Sequence, residues 1–392
     1  MNVGRTLTII VPHLLSAPLL LLAILAITVL TLSTLASADT TVQERQEQRQ
    51  KEENGEAVAL TKYHAIGFGF TASIGLLAMW MWSNVLVYMS LFTFGLGSFV
   101  SIQQCMPGIM KRLGLGRGHL WHHSTIAGLL VVSWFWYRNS SLSWIFQDIL
   151  GGFTITLMLK VLKASSMSTP TLLLLMAFIY DVFFVFVTPY LTKSGESIME
   201  AAATGAAMTV KETIPMLFRI PSFTPHGGEA MLGFGDVVLP GVLVTFLKEC
   251  DARLEEDQTL EGLTSSGITR SLPTSCPSSS CSTSSSCSLS CRRSWWKRRW
   301  SYHLTAILGY SLGLEVTFVA MLWSNKGQPA LLYLVPFTVI PVIFLASKRH
   351  ELSLLWNGWR DIDDDEMQLD VETDGEEEEQ DQQEKQTSTV FI

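Results

Sequence analysis

Four carboxylates stand inside long apolar runs of this chain: Asp148, Asp181, Asp236 and Glu315. Ionisable groups in a hydrocarbon environment are costly and are candidates for function by default. Asp181 follows Tyr180 and precedes Val182, Phe183 and Phe184, whereas Asp236 closes the run Gly233, Phe234, Gly235, Asp236. Two adjacent carboxylates in low dielectric cannot easily both ionise, so one keeps a proton while the other is charged. Such a pair supplies an acid and a base, the two functions needed to activate water against a peptide carbonyl.

The surrounding composition says which elements must hold these groups. Of 392 residues, 48% are hydrophobic and 16% charged, against roughly 25% charged in an average soluble domain. Long apolar stretches cover residues 8–36, 63–105, 124–137, 144–161, 170–189, 230–247, 304–323 and 329–346. About 20 residues of helix cross a hydrocarbon core, so the stretch 63–105 must cross twice, with a turn near Ser83 and Asn84. The expected architecture is an all-α polytopic membrane protein with nine transmembrane helices.

Orientation follows from alternate loops, because positive charge resists translocation. With the N-terminus outside, six of the 27 Lys and Arg fall on the exoplasmic side, at Arg5, Arg138, Lys193, Lys211, Arg219 and Lys326. The other 21 are cytosolic, as is the C-terminus. Arg292, Arg293, Trp295, Trp296, Lys297, Arg298, Arg299 and Trp300 fit a basic, aromatic anchor at the cytosolic start of span eight. This reading is preferred to nucleic-acid binding. Ala36, Ser37 and Ala38 resemble a signal cleavage site, but cleavage would invert every later loop, so the first span is read as an uncleaved anchor.

That topology also sets depths. Asp181 lies roughly 12 Å inside the exoplasmic end of span six near Pro189, and Asp236 roughly 10 Å inside the start of span seven near Glu229, if both are helical. The two aspartates are expected to be level. Glu315 in span eight lies roughly 12 Å from the same side, where it would tune the pair or, more simply, be a protonated glutamate bonded within the bundle. Asp148, with Gln147, is expected to cap or pair locally near the interface. Gly233 and Gly235 leave room for another backbone beside Asp236, and Pro240 deprives the Asp236 carbonyl of its helical donor.

Tyr180 and Asp181, then Gly233, Phe234, Gly235 and Asp236, then Gln328, Pro329, Ala330 and Leu331 resemble the YD, GxGD and PAL signatures of presenilin-type intramembrane aspartyl proteases. The runs YDVFFVFVTPYLTKSGESIM, LGFGDVVLPG and GQPALLYLVP are more similar to the signal peptide peptidase-like branch than to presenilin. Their order in separate spans matches, and three motifs together are far more specific than GxGD alone. The resemblance covers about residues 63–346 and implies a presenilin-like fold. It implies Asp181 and Asp236 as the catalytic pair, Tyr180 and Phe234 as residues shaping the site, and Pro329, Ala330 and Leu331 bordering it. Pro329 also suits the first position of span nine, where its missing N–H costs nothing. Two features depart from the pattern: few residues precede the first span where larger members carry a protease-associated domain, and a Ser-rich insert occupies residues 260–291.

The organisation expected is a first anchor and hydrophilic cytosolic loop over 1–62, spans two to five over 63–169, and catalytic spans six and seven with their exoplasmic loop over 170–247. A cytosolic Ser/Cys-rich linker over 248–301, spans eight and nine with the PAL motif over 302–347 and an acidic disordered tail over 348–392 complete it. The tail holds fourteen acids against Lys385 between 361 and 392. The six cysteines follow neither a disulfide framework nor zinc spacing. No cofactor or metal is expected.

Other chemistries fit less well. A zinc protease needs HExxH, and His350 with Glu351 has no second histidine in register. A serine protease built on Ser98 lacks an intramembrane base, since His13 is the only histidine well inside a span. A proton-coupled transporter would use intramembrane carboxylates, and a noncatalytic membrane chaperone would keep the fold; neither explains three motifs. The expected partners are transmembrane protein substrates and the bilayer, not nucleic acid, with homo-oligomerisation left open. The expected location is the endomembranes: Golgi, endosome, lysosome, endoplasmic reticulum or cell surface. Within the loop after span six, residues 214–221 form an apolar run whose prolines disfavour helix and which suits strand pairing with an unwound substrate.

Overall fold

A computed structural model describes residues 17–38, 60, 62–81, 83–112, 120–191, 215–221, 229–268, 301–324 and 328–358. Residues 269–291 of the Ser-rich insert, the basic and aromatic anchor, His13 and most of the acidic tail lie outside the described residues, whereas residues 260–268 continue the helix that begins at Gly235. The chain runs through α1 (Ala17–Ala38), α2 (Lys62–Met81), α3 (Ser83–Arg112), α4 (Leu120–Trp136), α5 (Ser143–Val161) and α6 (Ser168–Val182). A π-helical turn, Phe183–Val187, leads to the short α7 (Thr188–Leu191). Two strands, β1 (Leu217–Pro221) and β2 (Glu229–Gly233), precede α8 (Gly235–Ile268), α9 (Tyr302–Ser324), α10 (Leu331–Arg349) and the short α11 (Leu352–Asn357).

Among the described residues each apolar stretch expected from sequence coincides with a helix except the start of 230–247, and the 63–105 stretch breaks between Met81 and Ser83 as its length requires. Six described helices are long and apolar enough to cross a membrane: α1, α3, α5, α6 with its π extension, α9 and α10. The outward faces carry large exposed apolar residues such as Phe92, Leu129, Val132, Ile340 and Phe344. Contiguous apolar surface around a helical bundle is what lipid requires and what water penalises.

Association of such helices cannot rest on burying apolar surface from lipid that is equally apolar, so close packing and interhelical polar contacts matter. Ser33 on α1 bonds Thr156 on α5 at 2.8 Å, and Ser98 on α3 bonds Thr154 on α5 at 3.1 Å. The Ser98 hydroxyl therefore has a threonine, not a histidine, as its partner. Glycines set the closest crossings. A Cβ on Gly241 of α8 would meet Leu159 of α5 at 2.9 Å, and one on Gly309 of α9 would meet the Phe337 carbonyl of α10 at 2.2 Å.

Span seven departs from the sequence expectation. Residues 229–233 are extended and pair antiparallel with β1, and the helix begins only at Gly235. Asp236 thus occupies the first turn of α8, not a position two turns inside a helix. Periodicity is a poor guide in this segment, because an apolar run entering a bundle reads the same as strand or helix. Pro240 lies within α8 without ending it.

Candidate active site

The π turn directly follows Asp181 and has a local cause. Pro189 has no N–H for the Val185 carbonyl, and its ring crowds that carbonyl in regular α geometry. Widening the preceding turn relieves the crowding, and the Thr188 N–H accordingly bonds back five residues to the Phe183 carbonyl. Single π turns inside helices concentrate at functional sites. Asp181, two residues before this turn, is buried at 2% exposure.

The PAL residues meet that carboxylate. The backbone N–H of Leu331 donates to Asp181 Oδ2 at 3.1 Å. Leu331 is the first residue of α10, so its N–H has no acceptor within its own helix. The start of α10 thereby supplies both a donor and the positive end of a helix dipole to a carboxylate. Pro329 precedes the helix by two residues, and Ala330 takes the cap position, so the expectation of proline at the first helical position is corrected. Pro329 instead fixes the approach, its carbonyl accepting from the Leu332 N–H at 3.2 Å. The other oxygen, Asp181 Oδ1, is buried without a hydrogen-bond partner among the described residues.

Asp236 enters from α8, which packs against α6. Its carboxylate lies within electrostatic reach of Asp181 and against the Gly233 backbone. A Cβ added to Gly233 would stand 3.2 Å from Asp236 Oδ2, so glycine here makes room for the aspartate's own carboxylate, not for a second backbone. At Gly235 an added Cβ would meet no atom within 4 Å, and the structure gives no steric reason for glycine there. Phe234, between them, is buried against Phe218 of β1 with ring centroids 4.7 Å apart. Tyr180 packs on Phe184 at 4.8 Å and lies beside Asp181.

Two neighbours, Gly151 and Tyr310, were not identified from sequence, and for a third pair, Gln147 and Asp148, the partner was not. Gly151 of α5 lies under the Phe234 ring, where a Cβ would come within 2.3 Å of the ring tip. Tyr310 of α9 is fully buried near Asp236, and its hydroxyl has no hydrogen-bond partner among the described residues. The pair Gln147 and Asp148 of α5 reaches β1, not a local cap: Gln147 Nε2 donates to the Leu217 carbonyl at 2.8 Å, and the Arg219 N–H donates to Asp148 Oδ1 at 3.0 Å. Contacts across some seventy residues of chain leave no mark in local sequence. Glu315, by contrast, is half-buried and forms no hydrogen bond with the described residues. It lies about 140° around α9 from Tyr310, and the internally bonded glutamate expected from sequence is not observed.

Gly151→Ala should therefore displace Phe234 and destabilise the protein by about 1–3 kcal/mol, the usual cost of overpacking. A thermal unfolding scan in detergent would show the loss, and adding Phe234→Leu should recover part of it. An unchanged midpoint for the single variant would show that the ring has room elsewhere.

A family model described as signal peptide peptidase matches residues 49–361. Human signal peptide peptidase-like 2B is 30% identical over 299 residues, covering 70% of this chain and 43% of that protein. Mouse signal peptide peptidase-like 2A is 30% identical over 292 residues, covering 70% and 47%. Human signal peptide peptidase-like 2C is 30% identical over 331 residues, covering 79% and 42%. The chain spans less than half the length of these three relatives. Among solved structures, a presenilin family intramembrane aspartate protease aligns with 84% of this chain and 99% of its own at 14% identity, with a TM-score of 0.44.

Proposed function

Because the chain belongs to the signal peptide peptidase family, we propose that it is an intramembrane aspartyl endopeptidase with Asp181 and Asp236 as its catalytic pair. One observation carries the reading: two carboxylates from adjacent helices lie within electrostatic reach, and one is held by the first N–H of α10. The Leu331 N–H stabilises negative charge on Asp181 Oδ2, which favours the proton residing on Asp236. Asp181 Oδ1, unbonded among the described residues, is then the base that takes a proton from water. Asp236 donates to the peptide carbonyl as the tetrahedral intermediate forms, and the roles reverse as it collapses. Gly233 lets the Asp236 carboxylate adopt its position, Phe234 and Tyr180 wall the site, and Pro329, Ala330 and Leu331 deliver the donor.

The strand pair supports the handling of substrate. In β1, Leu217 and Arg219 turn their backbone groups away from β2, and Gln147 and Asp148 occupy that edge. The edge left for an extended peptide is that of β2, which leads directly into Asp236. Of the run 214–221, read from sequence as a strand for substrate, residues 217–221 form β1 and are the inner support of that edge instead. An unwound substrate added there exposes a carbonyl that a closed helix keeps occupied.

In the proposed topology α2, α4 and α8 also cross the bilayer, giving nine spans, and the C-terminus is cytosolic. The domain limits given above follow from that topology. Substrates are single-span membrane proteins or signal-peptide remnants within endomembranes. The test is reconstitution of the purified chain with a labelled single-span peptide, with and without an aspartyl transition-state analogue. Fragments that vanish with the analogue support the reading, and their absence from the untreated reaction removes it.

The same topology predicts direction. With α6 running outward and α8 inward, the site should prefer type II substrates, whose N-terminus is cytosolic, after their exterior domain has been shortened. Matched reporters carrying one transmembrane sequence in both orientations should differ by about 10-fold, the effect of one well-formed hydrogen bond's worth of discrimination. Equal cutting, or better cutting of the type I form, would overturn the orientation.

A further inference from the structure

We infer that Gln147 and Asp148 of α5 are positioning residues that fix the register of the substrate strand, by clamping β1 on the edge opposite β2. The inference rests on the protease reading above and on β2 as the docking edge.

The hydrogen-bond pattern carries it. Met216, Phe218 and Ile220 face β2, as the Phe234 N–H to Met216 carbonyl bond at 3.2 Å and the register Phe218 to Leu232 and Ile220 to Ala230 require. Leu217 and Arg219 therefore direct their carbonyl and N–H groups outward. In a two-stranded sheet these would be open edge groups, available to any extended peptide. Here Gln147 donates to the first and Asp148 accepts from the second, at 2.8 Å and 3.0 Å.

Both side chains are buried, at 4% and 6% exposure. The spacing of the donor and acceptor, adjacent on α5 and two residues apart on β1, matches the repeat of outward groups on a strand. The Arg219 charge acts on the same carboxylate. The pair thus reproduces with side chains what a third strand would offer with backbone. A two-stranded ribbon alone is marginally stable, and its register can slip. Pinning β1 to a transmembrane helix fixes β2, and β2 fixes which substrate bond lies beside Asp236. It also blocks the wrong edge, so a peptide can add only next to the carboxylates.

The test uses the purified full chain with Asp148→Leu, Asp148→Asn and Gln147→Met, reading hydrogen exchange at residues 215–221, KM, kcat and the masses of the fragments. Asn keeps an acceptor for the Arg219 N–H and should behave within about 2-fold of the parent, whereas Leu should raise KM by about 10-fold. With Leu, kcat should change less than KM, cleavage should spread to neighbouring bonds, and the Arg219 amide should exchange faster. Gln147→Met, which keeps length and loses one bond, should show the same pattern more weakly, and it keeps the test open if the Leu variant fails to fold. Unchanged fragment masses and KM with either apolar variant would overturn the inference, as would a loss confined to kcat or failure of Asn to rescue. Exchange separates the two readings: if the parent cuts nothing, the protease proposal falls, while unchanged amide protection in the variants sinks the clamp by itself.

Discussion

Replacing Asp181 or Asp236 by alanine should remove peptide-bond cleavage by at least about 10³-fold, because general acid and general base are each worth 10²–10⁴ and neither works without the other. The effect should be on turnover, not on assembly. Asp181 contributes one hydrogen bond to the fold, from Leu331, and Asp236 sits in the first turn of α8 with its carboxylate against Gly233. Asp181 is buried, so removing its carboxylate also relieves a costly group, and thermal midpoints should hold or rise. The measurement is fragment release from a single-span peptide by purified variants of equal thermal midpoint. A variant lacking Asp236 that cuts at a tenth of the parental rate would exclude a two-aspartate mechanism.

Gly309→Ala should lower activity by about 10²-fold, although the glycine packs against the middle of α10. A Cβ there would stand 2.2 Å from the Phe337 carbonyl oxygen and 3.3 Å from the Thr338 Cα, all of it backbone that cannot rotate aside. Gly313, one turn on, already stands close to Leu334, with an added Cβ 3.1 Å from its Cα. The helices α9 and α10 must then separate by about an ångström, an overpacking cost of about 1–3 kcal/mol or more. Separation carries the start of α10 with it, and the Leu331 N–H leaves Asp181. A misplacement of about 1 Å in a catalytic arrangement can cost about 10²-fold. Gly128→Ala is the control, since an added Cβ there meets no atom within 4 Å. Activity and thermal midpoint of the two variants in parallel would decide, and equal behaviour would show that the crossing of α9 and α10 does not set the site.

By itself the sequence determined the solvent, the positions of most of the described helices and which carboxylates stand inside apolar runs. Apolar runs of bilayer length admit few structures other than helix, because backbone groups in lipid must be satisfied within the segment. An ionisable group inside such a run is legible for the same reason: it is costly enough that chance rarely leaves it there. Asp181, Asp236 and the three motifs could therefore be picked out without coordinates.

The tertiary structure decided how those groups meet. Residues 229–233 became a strand because β1 lies alongside, a partner outside any local window, and Asp236 moved from a helix interior to a helix start. The role of Leu331 depended on where α10 begins, which propensity locates only to within a residue or two. Gly151, Gly309, Tyr310, Gln147 and Asp148 each act on residues more than twenty positions away. Local patterning records which face of a segment is apolar, but not which neighbour that face meets. In a membrane bundle, where lipid and protein interiors are alike apolar, that choice is made by close packing and by a few buried polar bonds.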